Sequence, residues 1–292
     1  MISDSTLNIC IKAIQKRQQS DGGFTEQEKG SYRPDSTAWA ALALSRAGIT
    51  GEIVDAARLS LTNTQLEDGR VCMPGEPGAF WPTSLSVLAW KGSKAHGEQQ
   101  GRAVRFLLET SGKHWKKGTD SPVSHDTSIR GWPWIENTHS FVEPTALALI
   151  ALEISGHTGH PRFQEGLRML MDRQLADGGW NYGNTIVYGK ELYPFVDTTG
   201  MTLVALAGHI KREHVNKSIL FLKSQAEGYR SPLSLGWALF GLGTWGELPK
   251  RGREWIEESL KRQKKYGAYG TSLLSLLALV SICQGEFRKC VV

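Results

Sequence analysis

The stretch Asp177–Gly208, DGGWNYGNTIVYGKELYPFVDTTGMTLVALAG, carries the plan of the whole chain. It runs from a Gly-rich turn through an aromatic-bearing excursion into an apolar helix opened by Asp197-Thr198-Thr199. The same parts return elsewhere. DGGF (Asp21–Phe24) precedes DSTAWAALAL (Asp35–Leu44), and QLEDGRV (Gln65–Val71) precedes WPTSLSVLAW (Trp81–Trp90). GWPWIENTHSF (Gly131–Phe141) precedes EPTALALIAL (Glu143–Leu152). A unit of helix, turn and helix used repeatedly is the signature of a repeat architecture, so the fold is settled before any residue receives a chemical role.

Each unit joins an amphipathic helix to one that is apolar nearly all round. The first belongs on the outside of an assembly and the second inside it. The predicted outer helices are 6–19, 53–66, 99–110, 162–175, 213–225 and 251–264; the inner partners follow Asp35 and at 82–90, 144–155, 198–208, 232–242 and 271–284. Leu7, Cys10, Ile11 and Ile14 share one side of the first outer helix, and Ala56, Leu59 and Leu66 are expected inward on the second. Six pairs at a spacing of about 50 residues fit two-helix repeats. An open solenoid ends in a polar cap, yet the last inner helix, SLLSLLALVSIC, is among the most apolar. The expected fold is therefore all-α: a closed α6/α6 toroid forming one domain over 1–292, with an insertion at about 113–141.

The 292 residues, 40% hydrophobic and 22% charged, exclude a disordered chain. No run reaches the ~18 apolar residues of a membrane span. The N-terminal segment lacks a basic stretch followed by an apolar core, and the four cysteines form no CxxC, so a cytoplasmic protein with reduced thiols is expected. The net charge of +5 is spread over outer helices such as 211–223 and 250–265, which suits a solvated face and not a nucleic-acid partner.

If the inner helices run parallel, their N-termini meet at one mouth. Backbone N–H groups and helix dipoles make such a mouth receptive to anions. Asp35, Glu143 and Asp197 open three of these helices, where an acid also serves as a capping or first-turn group. A diphosphate there would bind directly or through Mg²⁺; otherwise no cofactor or metal is expected. Trp180, Tyr182, Phe195 and Val196 could surround Asp197 with the apolar contact that keeps a carboxyl protonated. The insertion Lys113–Phe141 gathers His114, His125, His139, Asp126, Arg130, Glu136 and three tryptophans. His125-Asp126 is a candidate pair, and Arg130 with Trp132 and Trp134 fits a polar guard over an aromatic wall or simply a flap that plugs the barrel. Trp39, Trp90, Trp237, Phe240 and Trp245 lie on or near inner helices, placed either to fill the core or to stabilise a cation.

The turns Gln18–Gly22, Gln65–Gly69 and Gln174–Gly178, each Gln-x-x-Asp-Gly, resemble the repeats of squalene cyclases and the related prenyltransferase β-subunits. In squalene–hopene cyclases such a turn runs into Pro-x-x-Asp-x-Asp-Asp-Thr-Ala, whose middle aspartate protonates the polyene. Here the segment reads Pro194-Phe195-Val196-Asp197-Thr198-Thr199-Gly200, so only the middle carboxylate, Asp197, remains. The Asp-x-Cys zinc motif of the prenyltransferases and the Gly-Cys-Gly-Glu-Gln thioester segment of complement-like toroids are absent. The resemblance implies acid-initiated cyclisation or isomerisation of a terpenoid or polyprenyl substrate. Asp197 would be the acid, with a hydrophobic or isoprenoid small molecule bound and a peripheral membrane contact allowed. The alternatives are a non-catalytic lipid-binding or accessory protein and a glycan-active enzyme with paired carboxylates. The cavity discriminates among them: a dry aromatic chamber, an interior filled by side chains, or an open groove with two carboxylates.

Gly22, Gly23, Gly178 and Gly179 should include positive-φ positions. Gly178→Val is expected to lower the melting temperature in a thermal denaturation; an unchanged midpoint would show that ordinary φ angles suffice.

Overall fold

A computed structural model describes residues 4–118 and 121–291; Met1–Ser3 of the N-terminal segment, Thr119 and Asp120 of the insertion, and Val292 lie outside the described residues. The helical pairs are α1 (Asp4–Gln15) with α2 (Pro34–Arg46), α3 (Glu52–Asn63) with α4 (Pro82–Trp90), and α5 (Gly97–Glu109) with α6 (Val142–Ile154). Next come α7 (Pro161–Asp172) with α8 (Val196–Leu206), α9 (Arg212–Ala226) with α10 (Pro232–Thr244), and α11 (Gly252–Lys261), followed by the short α12 (Gln263–Tyr266), with α13 (Thr271–Ile282). A two-stranded antiparallel hairpin, β1 (Ile186–Val187) and β2 (Lys190–Glu191), stands in the excursion before α8.

The even-numbered helices α2 to α10, with α13, form the inner wall, each packed on the next, and α13 packs back on α2. The ring is closed. Its seam is polar: Arg17, only 5% exposed, donates to Tyr269 O at 2.8 Å, and Thr271 N donates to Glu26 O at 2.9 Å. Neighbouring inner helices run parallel. Ser36 and Ser272 hydroxyls, from the first turns of α2 and α13, lie 3.3 Å apart, while Lys91 just beyond α4 donates to Ile154 O at the end of α6 at 2.8 Å.

The turns explain the interlock between units. Gln18 Nε2 donates to Ile53 O at 2.8 Å and Gln65 Nε2 to Gln99 O at 2.9 Å, so each glutamine grips the start of the next outer helix. Gln174 does the same to His214 O at 3.1 Å. Gly22 and Gly178 have φ of 87° and 94°, and Gly179 has 82°, whereas Gly23 is at an ordinary φ. A Cβ on Gly178 would stand 2.6 Å from the Lys217 carbonyl carbon, so the turn needs glycine for space as well as for φ.

Two details differ from the periodicity. The first helix ends at Gln15, because Gln18 pairs with Phe24 in an antiparallel bridge that continued helix would forbid. On α3 the inward stripe is Val54, Ala57 and Leu61; Leu59 and Leu66 are 53% and 41% exposed. The i, i+3, i+7 set starting at Val54 fixes the rotation of the helix, and Ala56 sits at its edge against Gly22.

The barrel interior is filled by rings. Trp237 lies 6.0 Å from Trp39 and 5.5 Å from Phe287, and Phe240 lies 5.0 Å from Phe287. Phe287 enters from the C-terminal ends of the inner helices, on a 3-10 turn at Phe287–Cys290. The neighbouring Arg288 anchors that turn by a bidentate bond to Glu153, at 2.8 and 2.9 Å.

The closest helix approach in the wall is α8 on α10, where a Cβ on Gly200 would lie 2.2 Å from Trp237 O. Gly200→Ala should therefore lower the melting temperature despite alanine's better helix propensity, by an amount corresponding to about 1–3 kcal/mol. A calorimetric midpoint at or above wild type would contradict this packing.

Candidate functional site

The mouth at the N-terminal ends of the inner helices is built by a recurring bond. The residue after each Gly turn donates its N–H to a threonine hydroxyl in the first turn of an inner helix: Phe24 to Thr37, Val71 to Thr83, Trp132 to Thr145 and Trp180 to Thr199, each at 2.9 Å. The hydroxyl then turns its own hydrogen to a carbonyl, as Thr37 does to Arg33 O at 2.7 Å and Thr145 to Phe141 O at 2.6 Å. Asp35, Glu143 and Asp197 precede these threonines by two residues and so point from the same position on three helices.

Their environments differ. Asp35 is held by Arg33 in a bidentate pair, at 3.0 and 2.6 Å, and is not free to meet a ligand. Glu26, which the repeats do not signal, takes a similar place beside α13; its Oε2 accepts from Ser36 Oγ at 2.6 Å, Ser272 Oγ at 2.9 Å and Ser272 N at 3.2 Å. Glu143 and Asp197 are half-buried and, among the described residues, paired with no cation. Glu143 Oε1 accepts from Thr198 Oγ1 at 3.4 Å. Burial, and then the negative charge of Asp197, push the Glu143 carboxyl up to about 7, against a smaller opposing effect of the Thr198 hydroxyl.

Tyr182 and Phe195 complete this patch. Their rings are 4.9 Å apart and both are exposed, at 53% and 40%. Burial and the charges of Glu143 and Asp197 raise the Tyr182 phenol above its ordinary value, so the hydroxyl senses both carboxyls. Trp134 stands over the start of α4, with its ring 5.8 Å from Trp81. His139 lies against Phe141, at 4.1 Å between centroids.

Several expected site residues are structural instead. Trp132 and Trp180 are buried wedges whose indole N–H groups donate to Leu107 O at 2.9 Å and Leu170 O at 2.7 Å, on outer helices. Arg130 does not guard an aromatic wall; it pairs with Glu165 on α7 at 2.9 Å, while the buried Arg162 covers the Trp132 ring at 4.1 Å. Trp237 belongs to the interior ring cluster. His125 and Asp126 do not form a pair, because Asp126 Oδ1 accepts from Ser128 N and Oγ at 2.8 and 2.7 Å. Arg162 was legible only as a lone arginine beside the apolar stripe of α7. Glu26 had no local signal at all.

No group of three or more His, Cys, Asp or Glu is gathered to hold a metal ion among the described residues, and no helix among them is long and apolar enough to cross a membrane. No family model matches the chain, and no curated protein matches it in sequence. Solved structures do match. The α-1,6-mannanase GH76A of Salegentibacter sp. HEL1_6, as an inactive variant with α-1,6-mannotriose, is 12% identical with a TM-score of 0.60, covering 97% of this chain and 99% of that one. An α-amylase from Clostridium perfringens is 12% identical with a TM-score of 0.61, covering 94% and 96%. The type II terpene cyclase MstE from Scytonema is 14% identical with a TM-score of 0.56, covering 95% and 98%. At such identities the likeness is one of fold. The chain is an α/α toroid.

Glu143 has a measurable consequence for stability. Its proton stays on in the folded chain up to about pH 7, whereas the unfolded chain releases it near 4.5. The folded state thus loses stability as pH rises between those values, by roughly 3 kcal/mol. Glu143→Gln escapes that loss, so its melting temperature relative to wild type should rise by roughly 5 °C between pH 4 and pH 8. A pH-independent difference would show that Glu143 titrates normally.

Proposed function

We propose that the mouth is an acid–base catalytic site acting on a carbohydrate, with Glu143 as proton donor and Asp197 as the partner carboxylate. The observation that carries this reading is a pair of carboxyls without cation partners among the described residues, opening the neighbouring inner helices α6 and α8, of which Glu143 is pushed up to about 7 by burial and then by the charge of Asp197. Glycosidic bond cleavage asks for two acids, one that protonates the leaving oxygen and one that assists at the sugar carbon, directly or through water, and a raised carboxyl such as Glu143 suits the first role. Tyr182 and Phe195 offer exposed ring faces beside the pair, suited to the apolar side of a sugar. Successive aspartates are replaced in the inactive mannanase variant of this fold, whereas this chain has no Asp-Asp and would draw its pair from two helices.

Cyclisation of an isoprenoid is the second reading. It is supported by the register of Pro194–Asp197 with the cyclase acid segment and by the fold shared with MstE. Such chemistry needs a chamber beneath the acid in which the polyene can coil, and Trp39, Trp237, Phe240 and Phe287 occupy the interior. The filled interior also suits an accessory protein. That reading leaves unexplained why two carboxyls without cation partners should stand in each other's field, at a cost in stability near neutral pH.

The test is hydrolysis of α-linked manno- and gluco-oligosaccharides followed by release of reducing ends, with mass spectrometry of geranylgeranyl-bearing substrates in parallel. Glu143→Gln and Asp197→Asn should each lower glycan turnover by about 10²–10⁴-fold, while Asp35→Asn stays near wild type. The wild-type rate should fall as pH rises through about 7, as Glu143 loses its proton. Product from the isoprenoid substrate alone, abolished by Asp197→Asn and retained by Glu143→Gln, would transfer the acid to Asp197. Full glycan turnover by Glu143→Gln would overturn the proposal.

A further inference from the structure

A second concave site lies beside the mouth, where the insertion folds against the end of α7. It is a cavity of about 180 Å³ whose walls include Lys113, His125, His139 and Arg173, with Trp115 and Ile129 as its apolar side. Among the described residues no aspartate or glutamate lines it. Backbone bonds hold the walls in place: Lys113 N donates to Thr138 O at 2.8 Å, and Trp115 N to Thr127 O at 3.0 Å. Ser140 and Gly183, also in the wall, are chain neighbours of the segments carrying Glu143 and Tyr182.

The described acids nearby, Asp126 and Asp172, are already committed. Asp126 is bound to Ser128, and Asp172 pairs with the Arg173 guanidinium and accepts from Asp126 N at 3.1 Å. Arg173, 4% exposed, also donates to Asp126 O at 3.1 Å and is thereby fixed in the wall. His125 Nδ1 is buried and has no hydrogen-bond partner, an unusual state for a polar atom in a wall so rich in donors.

We infer that this cavity binds the anionic group, carboxylate or phosphate, of a small ligand whose ring lies on Trp115 and Ile129. An oxyanion supplies a partner for the unpaired His125 Nδ1 and a counter-charge for Lys113 within the cavity. It also changes His125. Burial, followed by the charges of Arg173, Lys117 and His139 and against that of Asp126, holds the imidazole down at about 4. A bound anion opposes those causes, so His125 takes up a proton on binding and the affinity rises as pH falls toward 4. The inference does not depend on the chemistry at Glu143, since binding is read without turnover.

The experiment uses the full chain and titrates glucuronate, glucose 6-phosphate and neutral glucose by calorimetry, with histidine side-chain NMR alongside. At least one anionic sugar should bind about tenfold or more tightly than glucose. His125 resonances should move toward the protonated form, and raised salt should weaken binding. The two anionic sugars separate a carboxylate site from a phosphate site. Lys113→Gln and His125→Gln, checked for folding by circular dichroism, should each weaken the bound sugar several-fold. Equal binding of glucose and the anionic sugars, absence of binding by both anionic sugars, or unchanged affinity in both folded variants would overturn the inference.

Discussion

The threonine hydroxyl in the first turn of an inner helix is the constraint on which the rest of the mouth depends. Four excursions return to the barrel by giving one backbone N–H to such a hydroxyl at 2.9 Å. A buried N–H left unpaired is costly, and the hydroxyl satisfies it while passing its own hydrogen to a carbonyl. At the seam Thr271 serves differently, donating to Thr25 O at 2.5 Å across the join between last and first units. Because the threonine fixes the rotation of each helix end, it also fixes where the residue two positions earlier points. The acids are therefore at the rim as a consequence of the fold's own hydrogen bonding.

Neutralisation then separates acids that the repeat made equivalent. Asp35 has Arg33, and Glu26 has two serine hydroxyls and a backbone N–H. Glu143 and Asp197 have each other's field and one weak hydroxyl contact between them. Helix N-termini soften the repulsion of carboxylates gathered at one rim, yet burial first, and the charge of Asp197 after it, still lift Glu143 to about 7. What sets Glu143 and Asp197 apart from Asp35 is thus a missing arginine as much as the acids present.

Below the rim, packing decides what can enter. Glycines let α8 and α10 approach until backbone touches backbone, which draws Trp237 inward against Trp39. Phe287 closes the other end, held by Arg288 on Glu153 and by its bond to Ala207 O at 2.5 Å. A toroid so filled keeps Glu143 and Asp197 at its rim, beside the excursion that carries Tyr182.

The sequence by itself determined the toroid, the order of outer and inner helices, the glycine turns, and the placing of Asp35, Glu143 and Asp197 at helix starts. All of these are local: apolar period, Gly at a turn, an acid two residues before a threonine. It did not determine the inward face of α3, where three candidate leucines and alanines differ by one step of rotation. Nor did it distinguish Trp180, a buried wedge, from Tyr182, an exposed ring two residues on. The tertiary structure decided that burial lifts the Glu143 carboxyl, that Arg162 and not Arg130 covers Trp132, and that Glu26 serves α13. These depend on pairs such as Glu143 with Thr198 and Ser272 with Glu26, separated by 55 and 246 residues. Burial and field at a carboxyl are sums over such distant neighbours, and they exist only once the ring has closed.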